Sequence, residues 1–352
     1  MSDLQFCTNK RHLRVGDWVE VESPDKILAS LDEQGCLERL PFMPEMLKYC
    51  GQRFRVLKSA HKTCDTIHKT GLRRMENAVH LEGIRCDGEA HGGCQAGCLL
   101  FMKEAWLKPV AGPEPNRDVA VSSAETRRSN SDANRRCDQK RLMRATRVTA
   151  KDEGSEIEIY RCQATELFRA TTPLKWWDPR HYIKDIVSRN VRIREFFYYV
   201  LIAAFNVVMR MNWRGQPYPN VRGLARGKTP TEILNLQPGE LVRVRSKKEI
   251  MKTLNEDQRN RGLYFDVEML PFCGKTYRVL RRVERIINEK SGVMMRMPND
   301  CIILNDVGCG GCLSRSRLFC PRNIYSFWRE IWLKRIDEKS SRTGNVTPEL
   351  RA

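Results

Sequence analysis

Residues 13–58 read LRVGDWVEVESPDKILASLDEQGCLERLPFMPEMLKYCGQRFRVLK, and residues 236–281 read LQPGELVRVRSKKEIMKTLNEDQRNRGLYFDVEMLPFCGKTYRVLR. The two stretches align without a gap and are identical at 18 of 46 positions. Unrelated sequences of average composition agree at about one position in twenty. The chain therefore contains a duplicated unit, and we expect both copies to fold in the same way.

A second matched pair extends the repeat. Residues 94–108 read CQAGCLLFMKEAWLK and residues 320–334 read CPRNIYSFWREIWLK, so each begins with Cys and ends E-x-W-L-K. We expect this tail to form a helix that closes each unit, with Cys94 and Cys320 at its start. Pro321 suits the first position of a helix.

Each copy opens with a turn and an alternating strand of the form G-D/E-x-V-x-V, followed by a short helix and further strands. This opening resembles the Src-homology-3-like small barrels. The resemblance implies a fold and no activity, because such barrels serve many functions. The predicted class is α+β, with two small β-barrel-like units, each closed by a C-terminal helix, flanking a helical middle segment.

Composition divides the chain into five predicted segments. They are a first barrel-like repeat at 1–110, a flexible basic linker at 111–155, a helical middle segment at 156–230, a second barrel-like repeat at 231–338 and a disordered tail at 339–352. The linker is polar and has no hydrophobic period. Its arginines and lysine either contact an acidic partner or are simply solvated: Arg127, Arg128, Arg135, Arg136, Lys140, Arg141, Arg144 and Arg147.

Two helices are predicted in the middle segment. Asp178 and Pro179 form a helix start, and this helix is expected over about Asp178–Asn190. Residues 196–209 are apolar on almost all sides, which favours a helix buried between the repeats. The alternative is a helix lying on a membrane surface, because the stretch is shorter than the roughly 20 residues of a span. Its predicted anchors and phosphate contacts are Trp176, Trp177, Trp213, Arg192, Arg194, Arg210 and Arg214.

Charge and cysteine content narrow the classes of partner and compartment. The 352 residues carry a net charge of +19 and include 14 cysteines. Such charge favours an acidic partner, whether nucleic acid, acidic protein or anionic membrane. The N-terminus lacks the apolar stretch of a signal peptide, which predicts a cytoplasmic protein with reduced thiols. Metal ligands or buried small side chains then explain the cysteines better than a disulfide framework.

Three cysteines occupy equivalent positions in the two copies. Cys50 aligns with Cys273, Cys86 with Cys312 and Cys94 with Cys320. A structural zinc ion takes four thiolate or imidazole ligands, which predicts one zinc per repeat. His91 or Cys98 is the fourth candidate in the first copy, and Cys309 in the second. The alternative is a set of duplicated buried thiols without metal. His61, Cys64 and His68 could form a second site in the first copy only, but their absence from the second copy favours an ordinary hairpin. Cys301 is assigned to the core.

The sequence contains no P-loop, no G-x-G-x-x-G, no H-E-x-x-H and no G-x-S-x-G. We therefore expect a non-catalytic, metal-stabilised binding or scaffold protein that presents basic surfaces to an acidic protein or nucleic acid. A zinc- or thiolate-dependent enzyme and a peripheral membrane protein are the alternatives. The predicted basic surface consists of Arg278, Arg281, Arg282, Arg285 and Arg296.

Overall fold

The computed structural model describes residues 12–113, 138–152, 155–211 and 215–336. The first copy contains β1 (Trp18–Val21), α1 (Pro24–Ser30), β2 (Cys36–Leu37), β3 (Leu40–Pro41), β4 (Arg53–Ser59), β5 (Lys62–Cys64), β6 (Leu72–Arg74), β7 (Ala78–Leu81), β8 (Met102–Lys103) and β9 (Leu107–Val110). Three 3-10 helices lie among them, at Pro44–Tyr49, Glu89–His91 and Glu104–Trp106.

The middle of the chain and the second copy follow. The middle contains α2 (Gln139–Ala145), β10 (Arg147–Asp152), β11 (Ser155–Tyr160), α3 (Gln163–Glu166), β12 (Thr172–Leu174), α4 (Pro179–Val187) and α5 (Ile193–Met211). The second copy contains β13 (Leu241–Val244), α6 (Lys247–Met251), β14 (Arg259–Asn260), β15 (Leu263–Tyr264), β16 (Thr276–Ile287), β17 (Met294–Gly308), β18 (Tyr325–Trp328) and β19 (Leu333–Arg335). Its 3-10 helices are Val267–Phe272, Arg315–Arg317 and Glu330–Trp332.

The two copies build sheets of the same strand order. The first sheet runs β8-β7-β4-β1-β9, and the second runs β18-β17-β16-β13-β19. All paired strands in both sheets are antiparallel. The same elements connect β1 to β4 in the first copy and β13 to β16 in the second. They are a short helix, a hairpin of two two-residue strands and a 3-10 helix, in that order. Equivalent sequence therefore occupies equivalent places in the two sheets.

The prediction of closed barrels is wrong. In each described five-stranded sheet the two outer strands, β8 and β9 or β18 and β19, are not hydrogen-bonded to each other. These outer strands have two to four residues. Each outer strand is hydrogen-bonded along one edge only, so neither sheet closes on itself within the described residues. The fold is α+β, built from small open antiparallel sheets.

The closing helices are also absent from the described residues. Residues 94–108 instead form a loop, β8, the 3-10 helix Glu104–Trp106 and β9, and residues 320–334 do the same with β18 and β19. Trp106 and Trp332 are fully buried at the ends of the two 3-10 helices. A continuous helix would have turned part of each tail to solvent. The extended tail buries the tryptophan and still adds an edge strand to each sheet.

Other local predictions are confirmed. The helix start at Asp178 exists, and the Asp178 carboxylate accepts the Arg180 N–H at 3.0 Å. In the second copy, the strands that follow the short helix include β16 and β17, which pair as a long antiparallel hairpin. Cys301 lies in β17 and is fully buried, as assigned.

The burial predicted for residues 196–209 is wrong. Within the described part of α5, only Asn206 is buried. Phe197 is 60% exposed and Leu201 is 69% exposed. The Asn206 amide is bonded twice to the backbone of Tyr218, and Phe196 stacks on Phe319, so this side of the helix faces the protein and the side with Phe197 and Leu201 faces outward. No helix in the described part of the chain has the length and apolarity needed to cross a membrane.

The predicted linker contains regular structure in its second half. Helix α2 is capped by the Asp138 carboxylate, which accepts the Arg141 N–H at 2.6 Å. Leu142 is buried against the core of the first copy, and this contact holds the helix in place. Arg127, Arg128, Arg135 and Arg136 lie outside the described residues, as do Trp213, Arg214 and the tail 339–352.

The two copies contact each other directly. In the first copy, the loop that follows Cys94 runs along β16 of the second copy. The Gln95 N–H donates to the Arg285 carbonyl at 3.1 Å, and the Gln95 side chain accepts from the Glu284 N–H at 2.6 Å. The Cys94 thiol lies beside it and accepts the Ile287 N–H at 3.4 Å. The cysteine-rich loops of the first copy are thus held against the long hairpin of the second.

Candidate metal centre

Three side chains with metal-binding atoms meet inside the first copy. His91 Nε2 lies 3.1 Å from Cys86 Sγ and 3.4 Å from Glu45 Oε1, and Cys86 Sγ lies 3.3 Å from the same oxygen. Glu45, Cys86 and His91 form the one group of three or more His, Cys, Asp or Glu ligand atoms within 4.8 Å of one another in the described ranges. Nitrogen, sulfur and oxygen donors in this combination suit a zinc ion.

Three short elements bring these residues together. Glu45 is in the first turn of the 3-10 helix Pro44–Tyr49, and His91 ends the 3-10 helix Glu89–His91. Cys86 is fixed by its N–H, which donates to the Cys98 carbonyl at 2.8 Å. Gly88 precedes the histidine helix with a φ of +81°, and a Cβ there would lie 2.1 Å from the Cys94 carbonyl oxygen. Glycine is therefore required for this loop to fold back on itself.

Burial sets the charge state of the three groups. Desolvation raises the pKa of the Glu45 carboxyl and lowers the pKa of the His91 imidazole to about 4. Desolvation, together with the nearby Glu45, also raises the pKa of the Cys86 thiol above its usual range. A neutral imidazole is the form that binds metal, and a bound cation would stabilise the thiolate and the carboxylate.

Two atoms of the group have no hydrogen-bond partner among the described residues, Glu45 Oε2 and His91 Nδ1. Buried polar atoms are normally paired. The Cys86–His91 side of the group faces a cavity of about 40 Å³. That volume accommodates an ion or a water molecule, whereas small-molecule sites are several hundred cubic ångströms. Three further thiols line this cavity: Cys94, Cys98 and Cys162.

The other predicted ligands of the first copy lie in different surroundings. Cys98 is at the cavity wall, and burial raises the pKa of its thiol to about 12. Cys94 packs with Tyr160 and Ile287. Cys50 directly follows the 3-10 helix Pro44–Tyr49 and packs against the apolar core. It is not a member of the group formed by Glu45, Cys86 and His91.

The second copy uses the equivalent glutamate differently. Glu268 aligns with Glu45, but its carboxylate accepts the backbone N–H groups of Cys312, Leu313 and Ser314 at 3.1, 2.7 and 2.9 Å. Cys273 packs against the core of the second copy, and its thiol reaches the Met269 carbonyl at 4.0 Å. Cys309 and Cys320 line one cavity, together with Cys64 of the first copy.

Sequence reasoning gave no metal-binding role to three residues of these clusters, which are Glu45, Cys64 and Cys162. Glu45 had a signal, because E-M-L-x-x-C-G is shared by both copies and includes the matched cysteine. Cys64 and Cys162 have no equivalent in the other copy, so comparison of the repeats gives no signal for them. Cys162 joins through α3, where it is the residue preceding Gln163, and Cys64 joins through β5.

The predicted basic surface lies on and beside the hairpin of β16 and β17. Arg278, Arg285 and Arg296 are exposed, and Arg285 stands opposite Arg296 in the register of the two strands. Arg281 is half-buried. Arg282 is half-buried and paired with two carboxylates, Glu330 at 2.6 Å and Asp300 at 2.9 Å.

Comparison of the chain with protein-family models, with curated proteins and with solved structures finds no match.

Proposed function

We propose that the protein is a non-catalytic, zinc-stabilised binding or scaffold protein, with one zinc ion for each copy of the repeat. The buried group Glu45–Cys86–His91 is the observation that supports this function. Cys98 and Cys162 are the candidates for a fourth ligand, because their thiols line the same cavity as Cys86 and His91. Zinc bound there would stabilise the fold, since its binding energy becomes folding energy.

Burial favours a structural ion over a catalytic one. His91 is 1% exposed and Glu45 is 8% exposed. The adjoining cavity of about 40 Å³ leaves no room for a substrate beside the ion. Catalytic zinc keeps an open position that water and substrate can reach, whereas structural zinc is enclosed by four protein ligands.

The hairpin supports the binding half of the proposal. Exposed Arg285 and Arg296 face solvent from neighbouring strands, and Arg278 lies on the same strand as Arg285. An acidic protein is the partner we propose, because charge accounts for this surface without a row of aromatic side chains of the kind on which bases stack. Binding of nucleic acid in preference to acidic protein is the contrary outcome of the test below.

Cobalt(II) substitution tests the metal site. Cobalt in a site with thiolate ligands gives visible absorption bands, and these should weaken by about one equivalent in Cys86→Ser. Cys50→Ser is the matched control, because Cys50 is a repeat-equivalent thiol outside the group. Equal cobalt spectra in wild type and Cys86→Ser would exclude this site.

Reversal of charge on the hairpin tests the partner surface. The double variant Arg285→Glu, Arg296→Glu should lose most of its affinity for poly-L-glutamate at 0.15 M salt. Arg192→Glu, Arg194→Glu changes the net charge equally on α5 and should lose far less. Tighter binding of a 20-nucleotide single strand than of poly-L-glutamate would replace the acidic protein by nucleic acid. Equal losses in the two double variants would show that only net charge matters.

A peripheral membrane protein is a second candidate, favoured by the exposure of α5. The exposed apolar side of this helix includes Phe197, Leu201 and Phe205, and Trp177 in the preceding segment is 61% exposed. Exposed Arg192 and Arg194 lie at the helix start and Arg210 near its end. An apolar face bordered by cations suits an anionic lipid surface.

Vesicle sedimentation separates this candidate from the first. Vesicles of phosphatidylcholine with phosphatidylserine should co-sediment the wild type but not Leu201→Asp. Leu224→Asp is the matched control, because Leu224 is 61% exposed outside the helix. Wild-type protein that stays in the supernatant would exclude the membrane function.

A further inference from the structure

Two thiols from different copies of the repeat contact each other. Cys64 ends strand β5 of the first copy, and its N–H donates to Cys320 Sγ of the second copy at 3.2 Å. The two thiols are also hydrogen-bonded to each other. Both side chains are buried, Cys64 at 4% and Cys320 at 6% exposure, and they pack with Leu72 of β6 and Leu174 of β12. Two cysteines separated by 256 positions in the sequence are thus neighbours in the fold.

The backbone around Cys320 is fixed by the second copy and by α5. The Cys320 N–H donates to the Arg317 carbonyl at 2.9 Å, and the Phe319 N–H donates to the Gly311 carbonyl at 2.7 Å. Phe319 has a φ of +59° and stacks on Phe196 of α5. A bulky residue keeps such a φ only where the surrounding contacts impose it. The fold itself therefore directs the Cys320 thiol toward the first copy, as a disulfide requires.

A cavity of about 190 Å³ gives a small oxidant access to the two thiols. Cys64 and Cys320 both line it. Tyr264 lines it as well and is 44% exposed, so the cavity reaches the protein surface. A water molecule takes up about 30 Å³ in the liquid, which leaves room for a peroxide molecule beside the thiols.

Two arginines of the cavity wall favour the thiolate form of Cys64. Arg317 and Arg322 line the same cavity, and Arg322 is 4% exposed. The hydrogen bond to the Cys320 thiol, together with the charges of Arg322 and Arg317, holds the pKa of the Cys64 thiol below its usual range. The thiolate is the form of cysteine that attacks an oxidant.

The other reactive or charged groups of the cavity wall are engaged elsewhere. The Asp266 carboxylate contacts Arg317 at 2.6 Å, and the Glu268 carboxylate accepts three backbone N–H groups of residues 312–314. Burial raises the pKa of the Cys309 thiol to about 12, so this third thiol stays neutral and is a poor nucleophile. The contacting pair of thiols is thus the reactive feature of the cavity.

We propose that Cys64 and Cys320 are a modification site, at which hydrogen peroxide joins the two copies of the repeat by a reversible disulfide. The Cys64 thiolate attacks one peroxide oxygen, the O–O bond breaks, and a sulfenic acid and a hydroxide ion form. The hydroxide takes from solvent the proton that Cys64 had released. The Cys320 sulfur then attacks the sulfenic sulfur, the S–O bond breaks, and the departing hydroxide takes the Cys320 proton. The two thiols thus lose two electrons and two protons, and the peroxide becomes two water molecules.

The cross-link is independent of the proposed zinc ion of the first copy, because the group Glu45–Cys86–His91 adjoins a different cavity. It gives Cys320 a role other than that of a ligand to the ion of the second copy. Thiol–disulfide exchange with a thiol reductant would reopen it. The disulfide would fix the position of β5 and of the first copy relative to the loop that precedes β18.

Oxidation of the unaltered full chain tests the cross-link. Hydrogen peroxide in slight molar excess should lower the intact mass of the reduced chain by two hydrogen atoms. After alkylation of the remaining thiols, digestion without reductant should yield one linked pair of peptides, joined through Cys64 and Cys320. A linkage between Cys309 and Cys312, or complete alkylation of both Cys64 and Cys320, would overturn the proposal.

Three single variants identify the thiols that react. Cys64→Ser and Cys320→Ser should each abolish the linked pair. Cys309→Ser is the matched control and should keep it, because Cys309 lines the same cavity without contacting the pair in the proposed way. Loss of the linked pair in Cys309→Ser would show that this thiol takes part and would contradict the proposal. The oxidised wild type should unfold at a higher temperature than the reduced one, and dithiothreitol should remove the difference.

Zinc content separates this proposal from the proposed metal sites. The oxidised and the reduced wild type should contain equal zinc, and Cys86→Ser should form the cross-link although it lacks the ion of the first copy. Release of zinc from the wild type on oxidation would show that Cys64 or Cys320 is a metal ligand, and the assignment of these thiols to a disulfide site would be wrong.

Discussion

Cys86 Sγ lies 3.3 Å from Glu45 Oε1 inside the first copy of the repeat, whereas the equivalent Glu268 holds the backbone N–H of Cys312 instead of its thiol. The same pair of residue types thus performs two tasks. In the first copy the carboxylate faces a sulfur and an imidazole. In the second copy it orders a loop that carries cysteines. The two copies share a fold but are expected to hold their ions with different ligands.

This difference predicts unlike effects of the same substitution. Glu45→Gln should weaken zinc binding at the first site by about tenfold or more, because it removes an anionic oxygen from the ligand group. Glu268→Gln should lower the free energy of unfolding by about 1–3 kcal/mol, because its amide nitrogen cannot accept a backbone N–H. Zinc titration against a competing chelator and denaturant unfolding measure the two effects. The same result for both variants would contradict the assignment of separate roles.

The change in the free energy of unfolding caused by a substitution in α5 should depend on how exposed the side chain is, rather than on how hydrophobic it is. Leu201→Asp should change the free energy of unfolding by no more than about 0.5 kcal/mol, since the side chain lies in solvent. Asn206→Ala should cost about 1–3 kcal/mol, because it leaves the Tyr218 N–H and carbonyl without their bonds to the buried amide. Denaturant unfolding of both variants checks the order. A larger loss in Leu201→Asp would place the helix in the interior.

Replacing an arginine of the β16–β17 hairpin should raise the stability of the protein and weaken its binding to an acidic partner. Arg285 and Arg296 stand directly opposite on β16 and β17, and like charges in this arrangement are unfavourable. Arg296→Glu replaces repulsion by attraction and should raise the free energy of unfolding by about 0.2–1 kcal/mol. The same variant should bind poly-L-glutamate more weakly. Thermal unfolding and a binding titration test the two signs, and a destabilised variant would show that Arg296 has a structural contact.

Because His80 is buried in its neutral form, the protein should lose stability in mild acid. The ring is fully buried, its Nδ1 lies 2.9 Å from the Leu100 carbonyl, and desolvation lowers its pKa to about 4. An unfolded histidine has a pKa of about 6.5, so the unfolded chain binds the proton first. The stability from this group is complete above pH 6.5 and falls by about 1.4 kcal/mol per pH unit down to the folded pKa.

His80→Gln keeps a donor for the Leu100 carbonyl and removes the titrating group. Between about pH 6.5 and 4, its free energy of unfolding should change less with pH than that of the wild type. The difference between the two slopes should correspond to the uptake of one proton. Urea unfolding at a series of pH values gives both slopes. Equal slopes would show that the ring is already charged in the folded protein.

Repeat comparison predicted much of the local structure. The pattern of Val19 and Val21, or Val242 and Val244, placed the first strand of each sheet correctly because alternate burial depends on local sequence. The tails at 94–108 and 320–334 were mistaken for helices. Their outcome depends on burial of Trp106 and Trp332 under a sheet formed by distant strands. Such a contact is long-range and leaves no periodic signal in the tail itself.

The residues of the candidate site show the same division between local and long-range signals. Cys86 was selected because the second copy has Cys312 at the equivalent position, and Glu45 could have been found by the same comparison. Cys64 is brought to Cys320 by packing between the copies, across a separation of 256 residues. No local pattern predicts that approach. The exposure of α5 was missed for a related reason, because an apolar segment indicates burial only when a partner surface is available within the chain.

Zinc content of the full chain purified without chelator tests the account most directly. Elemental analysis should find about two zinc ions per chain, and Cys86→Ser should lose one of them. Removal of both by a chelator should lower the thermal unfolding temperature, and added zinc should restore it. A chain that contains no metal and unfolds at the same temperature with and without chelator would contradict the proposed function.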